Sequence, residues 1–447
     1  MANRAFRREL SPRIDPRELF ESLSAHHEVA LWIDQCGQLM EGHTVIATGD
    51  LITLEGGKAW EQLRELWHST TIEQPSGESP LGLVVVVPYD AAHHLLSLSP
   101  ETPGVESWNQ PIRVVRVTQS VSIDRATGTA TAWCLAAESS GLEAWITQVT
   151  TLASTPPRHQ SEKPVGQDSR AHWREGPERY RELISQAQAS IRDGEAYQLC
   201  LTTQVTLETS VTDLELYETL RHSAPAPYQA LLRLGDVSVV SASPETFLRL
   251  DRDGRATTRP IKGTRPRGAT PREDRELVEE LVSSDKERAE NLMIVDLMRN
   301  DLLRVCRPDS ISVSGLFEVE TYSSVHQLVS TVHGVLREDC DGIDLMKACF
   351  PAGSMTGAPK QRAVELLAQL ESGPRGIYSG TWGWLGSDET MELAMTIRTA
   401  VYSPGRVEVG VGGGITWSSV PVEEIAEVGH KARRLLEALG VSGIQYS

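Results

Sequence analysis

The stretch from Val237 to Pro260 constrains the fold more than any other. An apolar, β-type segment runs to Leu250, meets Asp251-Arg-Asp-Gly254, and returns through Ala256 to Pro260. A turn this short joins strands that lie side by side in opposite directions, because parallel neighbours need a crossover of a dozen residues or more. A strand pattern over Ala196 to Leu207 precedes it, and Ile377 to Leu385, Met391 to Tyr402 and Val407 to Val411 follow. Helical periodicity occupies Pro177 to Arg192, Pro271 to Ser283, Lys286 to Leu302, Gly357 to Leu370 and Val422 to Leu439. Strands in hairpin order among helices predict an α+β fold, with large, mainly antiparallel sheets packed together and flanked by helices.

The 447 residues exceed what one core usually organises. The Pro-rich, polar segment 154–167 is the natural boundary, giving an N-terminal α/β domain over 1–160 and a second domain over 168–447. Upstream of it, Val29 to Ile33 and Leu81 to Val87 read as strands, without a chemical motif. With 61 acidic against 43 basic side chains the formal charge is −18, which repels phosphate backbones and anionic lipid. Neither nucleic acid nor membrane is expected as a partner. No apolar run approaches the roughly 20 residues that span a bilayer. Met1 to Leu10 lacks the apolar region of a signal peptide, so a cytoplasmic address is expected. The six cysteines form no Cys-x-x-Cys pair and are expected to be reduced. A chain this acidic that handles an anionic small molecule must build a local cationic site.

Several residues are suited to that task. Glu287 and Glu290, and again Glu424 and Glu427, are spaced i, i+3 on helical segments, so each pair shares one helix face. Two such faces brought together suit a hard divalent cation such as Mg²⁺. Arg259-Pro-Ile-Lys-Gly-Thr-Arg-Pro-Arg-Gly268 places Lys262 in a basic segment between strand and helix. Held in a pocket where charge and desolvation lower its pKa from about 10.4, Lys262 becomes a nucleophile. Ser243-Pro-Glu245 ends the strand before the hairpin that leads to Lys262, so when the hairpin folds back Glu245 can approach Lys262 and serve as a general acid if burial raises its pKa. Gly410-Val-Gly-Gly-Gly-Ile415 follows a strand and offers successive N–H groups to an anion. Arg398, among apolar neighbours, needs an anionic partner. His326 is a candidate proton donor or a satisfied core residue.

These motifs, in this order, resemble the chorismate-utilising enzymes over roughly Gly194 to Leu439. The matching residues are Ser243-Pro-Glu245, Pro260-Ile-Lys-Gly-Thr264, Glu287-Arg-Ala-Glu290 with Asp296-Leu-Met-Arg-Asn-Asp301, Val325-His326, Gly353-Ser-Met-Thr-Gly-Ala-Pro-Lys360, Ile397-Arg-Thr399 and Gly412-Gly-Gly-Ile415. The resemblance implies a site in a cleft between the sheets and chorismate, a dicarboxylate, as substrate. It implies Mg²⁺ on Glu290 and Glu427, with Glu287 and Glu424 in the same cluster, holding the ring carboxylate. The enolpyruvyl carboxylate would meet Arg398, Tyr378 and the N–H groups of Gly412, Gly413 and Gly414, with Lys431 and Ser354 nearby.

Two positions separate reactions within the family. Where isochorismate and salicylate synthases place a basic Lys, this chain has Gln198, which disfavours hydration at C2. Where anthranilate synthases usually have Ala, it has Lys262, as in the branch that aminates chorismate at C4. That branch implies attack by Lys262 on C2, protonation of the departing hydroxyl by Glu245, and ammonia delivered from a separate glutamine amidotransferase subunit. Anthranilate formation, or chorismate binding without turnover, are the alternatives. Met391-Glu-Leu393 and Gly414-Ile-Thr-Trp-Ser-Ser419 depart from the common family pattern.

Overall fold

The computed structural model describes residues 4–11, 13–38, 41–70, 79–96, 98, 110–153, 170–322 and 325–441. Among the described residues twenty strands join into one hydrogen-bonded network. The hairpin around Asp251–Gly254 is present, with Thr246 opposite Arg259 and Leu250 opposite Ala256. Its arms pair onward, antiparallel, with strands Met391–Met395 and Val325–Val335. The α+β expectation therefore holds.

The boundary segment 154–167 lies outside the described residues. Strands from either side of it are interleaved in space. Val29–Cys36 pairs with Tyr228–Leu234, and Gly82–Val87 pairs with Thr381–Gly386. Gly82–Val87 is buried along its whole length, as its unbroken run of valines demands of a strand covered on both faces. One apolar cluster, made mainly of strand residues such as Leu31, Val84, Trp382 and Trp384, lies where sheet faces meet. Another packs the N-terminal helix Pro16–Ser24 and the helices Pro177–Arg192 and Pro421–Ala438 onto the sheet through Phe20, Tyr180 and Leu435. A third gathers Trp60, Phe247, Met298 and Phe350 beneath the helices Ala59–Thr70 and Asp285–Leu303.

Two of the strand regions are broken. Val237 to Leu250 becomes Val237–Ser243 and Thr246–Leu250, interrupted at Pro244-Glu245, because proline has no N–H to give the ladder. Met391 to Tyr402 becomes Met391–Met395 and Thr399–Ser403, interrupted where Arg398 takes a φ of +49°. Each break turns a candidate site residue, Glu245 or Arg398, out of the ladder. Likewise Pro359 stands just before the helix Lys360–Leu370, while Gly357–Ala358 pairs with Leu199 and Gln198. At the start of that helix Lys360 Nζ, buried, donates to Asp301 Oδ2 and to the Cys349 carbonyl, both at 2.7 Å. This fixes the end of Asp285–Leu303, the helix that carries Glu287 and Glu290.

Candidate active site

A cavity of about 520 Å³ opens between the strand Arg406–Thr416, the strand Ile261–Pro266 and the two helices that carry the glutamate pairs. Glu245, Lys262, Glu287, Glu290, Ser354, Tyr378, Arg398, Gly412, Gly413, Gly414, Glu424, Glu427 and Lys431 all border it. Gln198 lies just behind this wall. A methyl group on Gly414 would sit 2.3 Å from Gln198 Nε2 and 3.6 Å from Lys262 Nζ, so both groups cover that residue. His326 is not brought to the cavity. Its strand neighbours Val325 and Gln327 face in, so alternation turns His326 to the opposite side. There it is buried, with Nε2 2.9 Å from Asp274 Oδ1 and Nδ1 2.8 Å from Thr321 Oγ1. The proton-donor expectation for His326 gives way to a structural role, locking the strand to the helix Pro271–Ser283.

The glycine run is the second half of a strand rather than a loop after one. Its residues pair antiparallel with Gln198–Glu208, Gly412 opposite Thr202 and Gly414 opposite Cys200. Tyr378 lies directly on Gly410, where a Cβ would come within 2.0 Å of the ring root. Gly263, at φ +82°, supplies a conformation that favours glycine, and a Cβ there would meet Glu287 Oε2 at 3.0 Å. Small residues thus bring Lys262 and the carboxylates onto one surface.

The four glutamates share that surface, but three of them are already paired. Glu287 Oε1 is 3.5 Å from Arg265, Glu424 Oε1 is 3.2 Å from Lys286 and 2.8 Å from Ser419 Oγ, and Glu427 is 2.7 Å from Lys431. Glu290 differs: its Oε1 is buried and has no hydrogen-bond partner among the described residues. Burial pushes the Glu290 carboxyl up, opposed mainly by the charge of Lys262. Lys431 holds the Glu427 carboxyl down. Among the described residues no three His, Cys or acidic side chains converge tightly enough to cage an ion unaided. The donor set, oxygen only with one orphaned buried carboxylate oxygen, fits a hard cation that completes its shell from water and a bound anion.

Across from the acids, Glu245 is buried, and burial pushes its carboxyl up to about 7 against the opposing charge of Lys262 and an N–H donated by Ile261. Ser354 Oγ approaches the same carboxyl without completing a hydrogen bond of ordinary geometry. The Arg398 guanidinium forms no ion pair with a described residue, and burial lowers its pKa. Lys431 donates to the Gly412 carbonyl at 3.0 Å as well as to Glu427.

Sequence reasoning missed three features. Ser419 accepts from the Thr416 N–H and donates to Glu424, fixing a carboxylate from within the segment that departs from the family pattern. Glu392, in the other departure, lies away from this cavity, bonded to the Tyr228 hydroxyl and pushed up to about 7 by burial. His430 and Arg434 also border the cavity. For Arg434 a signal existed, since Glu424, Glu427, Lys431 and Arg434 fall on one helical stripe.

The pocket is acidic at one end and cationic at the other, between antiparallel strands and two helices. A family model for chorismate binding enzymes matches residues 27–437. The chain belongs to that family. It is 46% identical over 316 residues to an aminodeoxychorismate synthase of Streptomyces griseus, covering 71% of this chain and 43% of that protein. It is 36% identical over 418 residues to anthranilate synthase component 1 of Mycolicibacterium smegmatis, covering 87% and 77%. The crystal structure of anthranilate synthase component I from Streptococcus pneumoniae superposes with a TM-score of 0.78 at 26% identity, covering 88% of this chain and 92% of that one. The chain spans less than half the length of the Streptomyces relatives. No helix among the described residues is long and apolar enough to cross a membrane.

Proposed function

We propose that the chain is an aminodeoxychorismate synthase, converting chorismate and ammonia to 4-amino-4-deoxychorismate, a precursor of p-aminobenzoate and folate. The observation that carries the reading is Lys262 on the cavity surface beside Glu245, a carboxyl whose pKa of about 7 keeps a large neutral fraction near neutral pH. The Lys262 amine forms a bond to C2 of the ring. The two conjugated ring double bonds both shift, and the C4–oxygen bond breaks as Glu245 protonates the hydroxyl, which leaves as water. Ammonia then bonds to C4, both double bonds shift back, and the C2–nitrogen bond to Lys262 breaks. The proton that ammonia loses returns the Glu245 carboxylate to its acid form. Relatives named aminodeoxychorismate synthase support this assignment.

Glu290 and Glu427, with Glu287 and Glu424 beside them, would hold Mg²⁺. Bound there, the ion supplies positive charge for a ring carboxylate at the acidic end of the pocket. Arg398 and Lys431 supply positive charge at the other end, with the phenol of Tyr378 and the strand backbone at Gly412 to Gly414 between them. Ammonia would come from a glutamine amidotransferase chain, replaceable by ammonium salt in vitro, and the cytoplasm is the proposed compartment.

Amination at C2, giving anthranilate, is the second reading, favoured by the long match to the M. smegmatis protein. The test is to incubate the chain with chorismate, Mg²⁺ and ammonium salt, identify the product by mass and fluorescence, and record intact-protein mass. Aminodeoxychorismate and a covalent adduct lost in Lys262→Ala are expected. Anthranilate, or equal adduct in wild type and variant, would overturn the nucleophile assignment.

A further inference from the structure

Two guanidinium groups at the cavity have no ion-pair partner among the described residues, where the proposed binding scheme uses one. Arg398 and Arg434 both border the main cavity, and both border an adjoining chamber of about 140 Å³ walled by Leu220, Ala242 and Pro244. Neither forms an ion pair with a described residue. Other arginines of this acidic chain do find partners: Arg221 with Asp34, Arg233 with Asp213 and Arg375 with Glu371. The Arg434 charge is felt at Arg398 and adds to the effect of burial on that group. Two like charges facing one space repel unless an anion comes between them. Lys431 is a poorer anchor for that anion, because Glu427 and the Gly412 carbonyl already engage its ammonium.

The helix orders these charges. Along Pro421–Ala438 the stripe reads Glu424, Glu427, Lys431, Arg434, acid to base over ten residues, about 15 Å of helix. The acidic end suits a cation-bridged carboxylate, and the basic end suits a carboxylate directly.

We propose that Arg434 is a substrate-positioning residue that joins Arg398 in clamping the enolpyruvyl carboxylate of chorismate. The inference rests on the chorismate reading above but not on which carbon is aminated. The experiment uses the full chain with Mg²⁺, measuring chorismate Kd by calorimetry and kcat and KM with ammonium salt for wild type, Arg434→Ala and Arg434→Lys. Arg434→Ala is expected to raise Kd and KM by about tenfold, the equivalent of about 1.4 kcal/mol, with kcat within about twofold. Arg434→Lys is expected to recover part of the loss, since a point charge replaces a planar fork. Unchanged Kd and KM in Arg434→Ala, or a fall in kcat alone, would overturn the clamp. Anthranilate as product with the same rise in Kd sustains the clamp and overturns C4 amination. A wild-type chain that binds no chorismate overturns both.

Discussion

The protonation of Glu245 sets the steepest expectation. Its carboxyl is enclosed by protein, and burial carries it from 4.5 to about 7 although Lys262 and the Ile261 N–H pull the other way. The folded-state value is raised, so the neutral, proton-donating form dominates below about pH 7 and is lost above it. Rates that need this acid should be insensitive to it below that point and fall about tenfold per pH unit beyond it. In kcat/KM, which reports the free enzyme, the break belongs near 7. A bound dianion adds negative charge to the pocket and pushes the acid higher, so the break in kcat should come at higher pH. The assay is chorismate consumption across the pH range with unprotonated ammonia held constant. Glu245→Gln keeps the shape but has no acidic proton, and should lose about 10²- to 10⁴-fold in kcat while retaining chorismate affinity within a few-fold. A kcat/KM profile flat between about pH 6 and about pH 9, or a Gln variant within about threefold of wild type, would refute general acid catalysis by this residue.

Ser419→Ala removes the hydroxyl that holds Glu424, and the Mg²⁺ concentration for half-maximal rate should rise by about 10- to 100-fold, with kcat recovered at saturation. Lys360→Met leaves Asp301 buried without its cation, and urea unfolding should show a loss of about 3–5 kcal/mol. In Gly410→Ala the new methyl collides with the root of the Tyr378 ring, so thermal unfolding should register a loss of at least about 1–3 kcal/mol together with reduced turnover.

The antiparallel class was legible because hairpin order follows from one short turn and from local periodicity. The glutamate pairs were legible for a similar reason, since i, i+3 spacing assigns a face before any tertiary contact is known. The strand break at Arg398 was not. Apolar periodicity continues through it, and only the local backbone turns this side chain into the cavity. His326 marks the opposite limit, because which face of its strand meets the cavity depends on a register set by partners far along the chain. Arg434 lay on the stripe defined by Glu424 and Glu427, but its meaning required knowing that no acid among the described residues answers it.

The pairing of Gly82–Val87 with Thr381–Gly386 reaches across nearly three hundred residues of sequence. A fragment starting after the Pro-rich segment would keep the four glutamates of the cavity, Lys262 and Arg398, yet would strip one of two partners from the fully buried strand Thr381–Gly386 and leave the amides on that side bare. Such edges recruit neighbours, so dissecting this molecule at the Pro-rich segment 154–167 should yield aggregates instead of a smaller working enzyme. Its earliest strands serve as masonry for chemistry written at the far end.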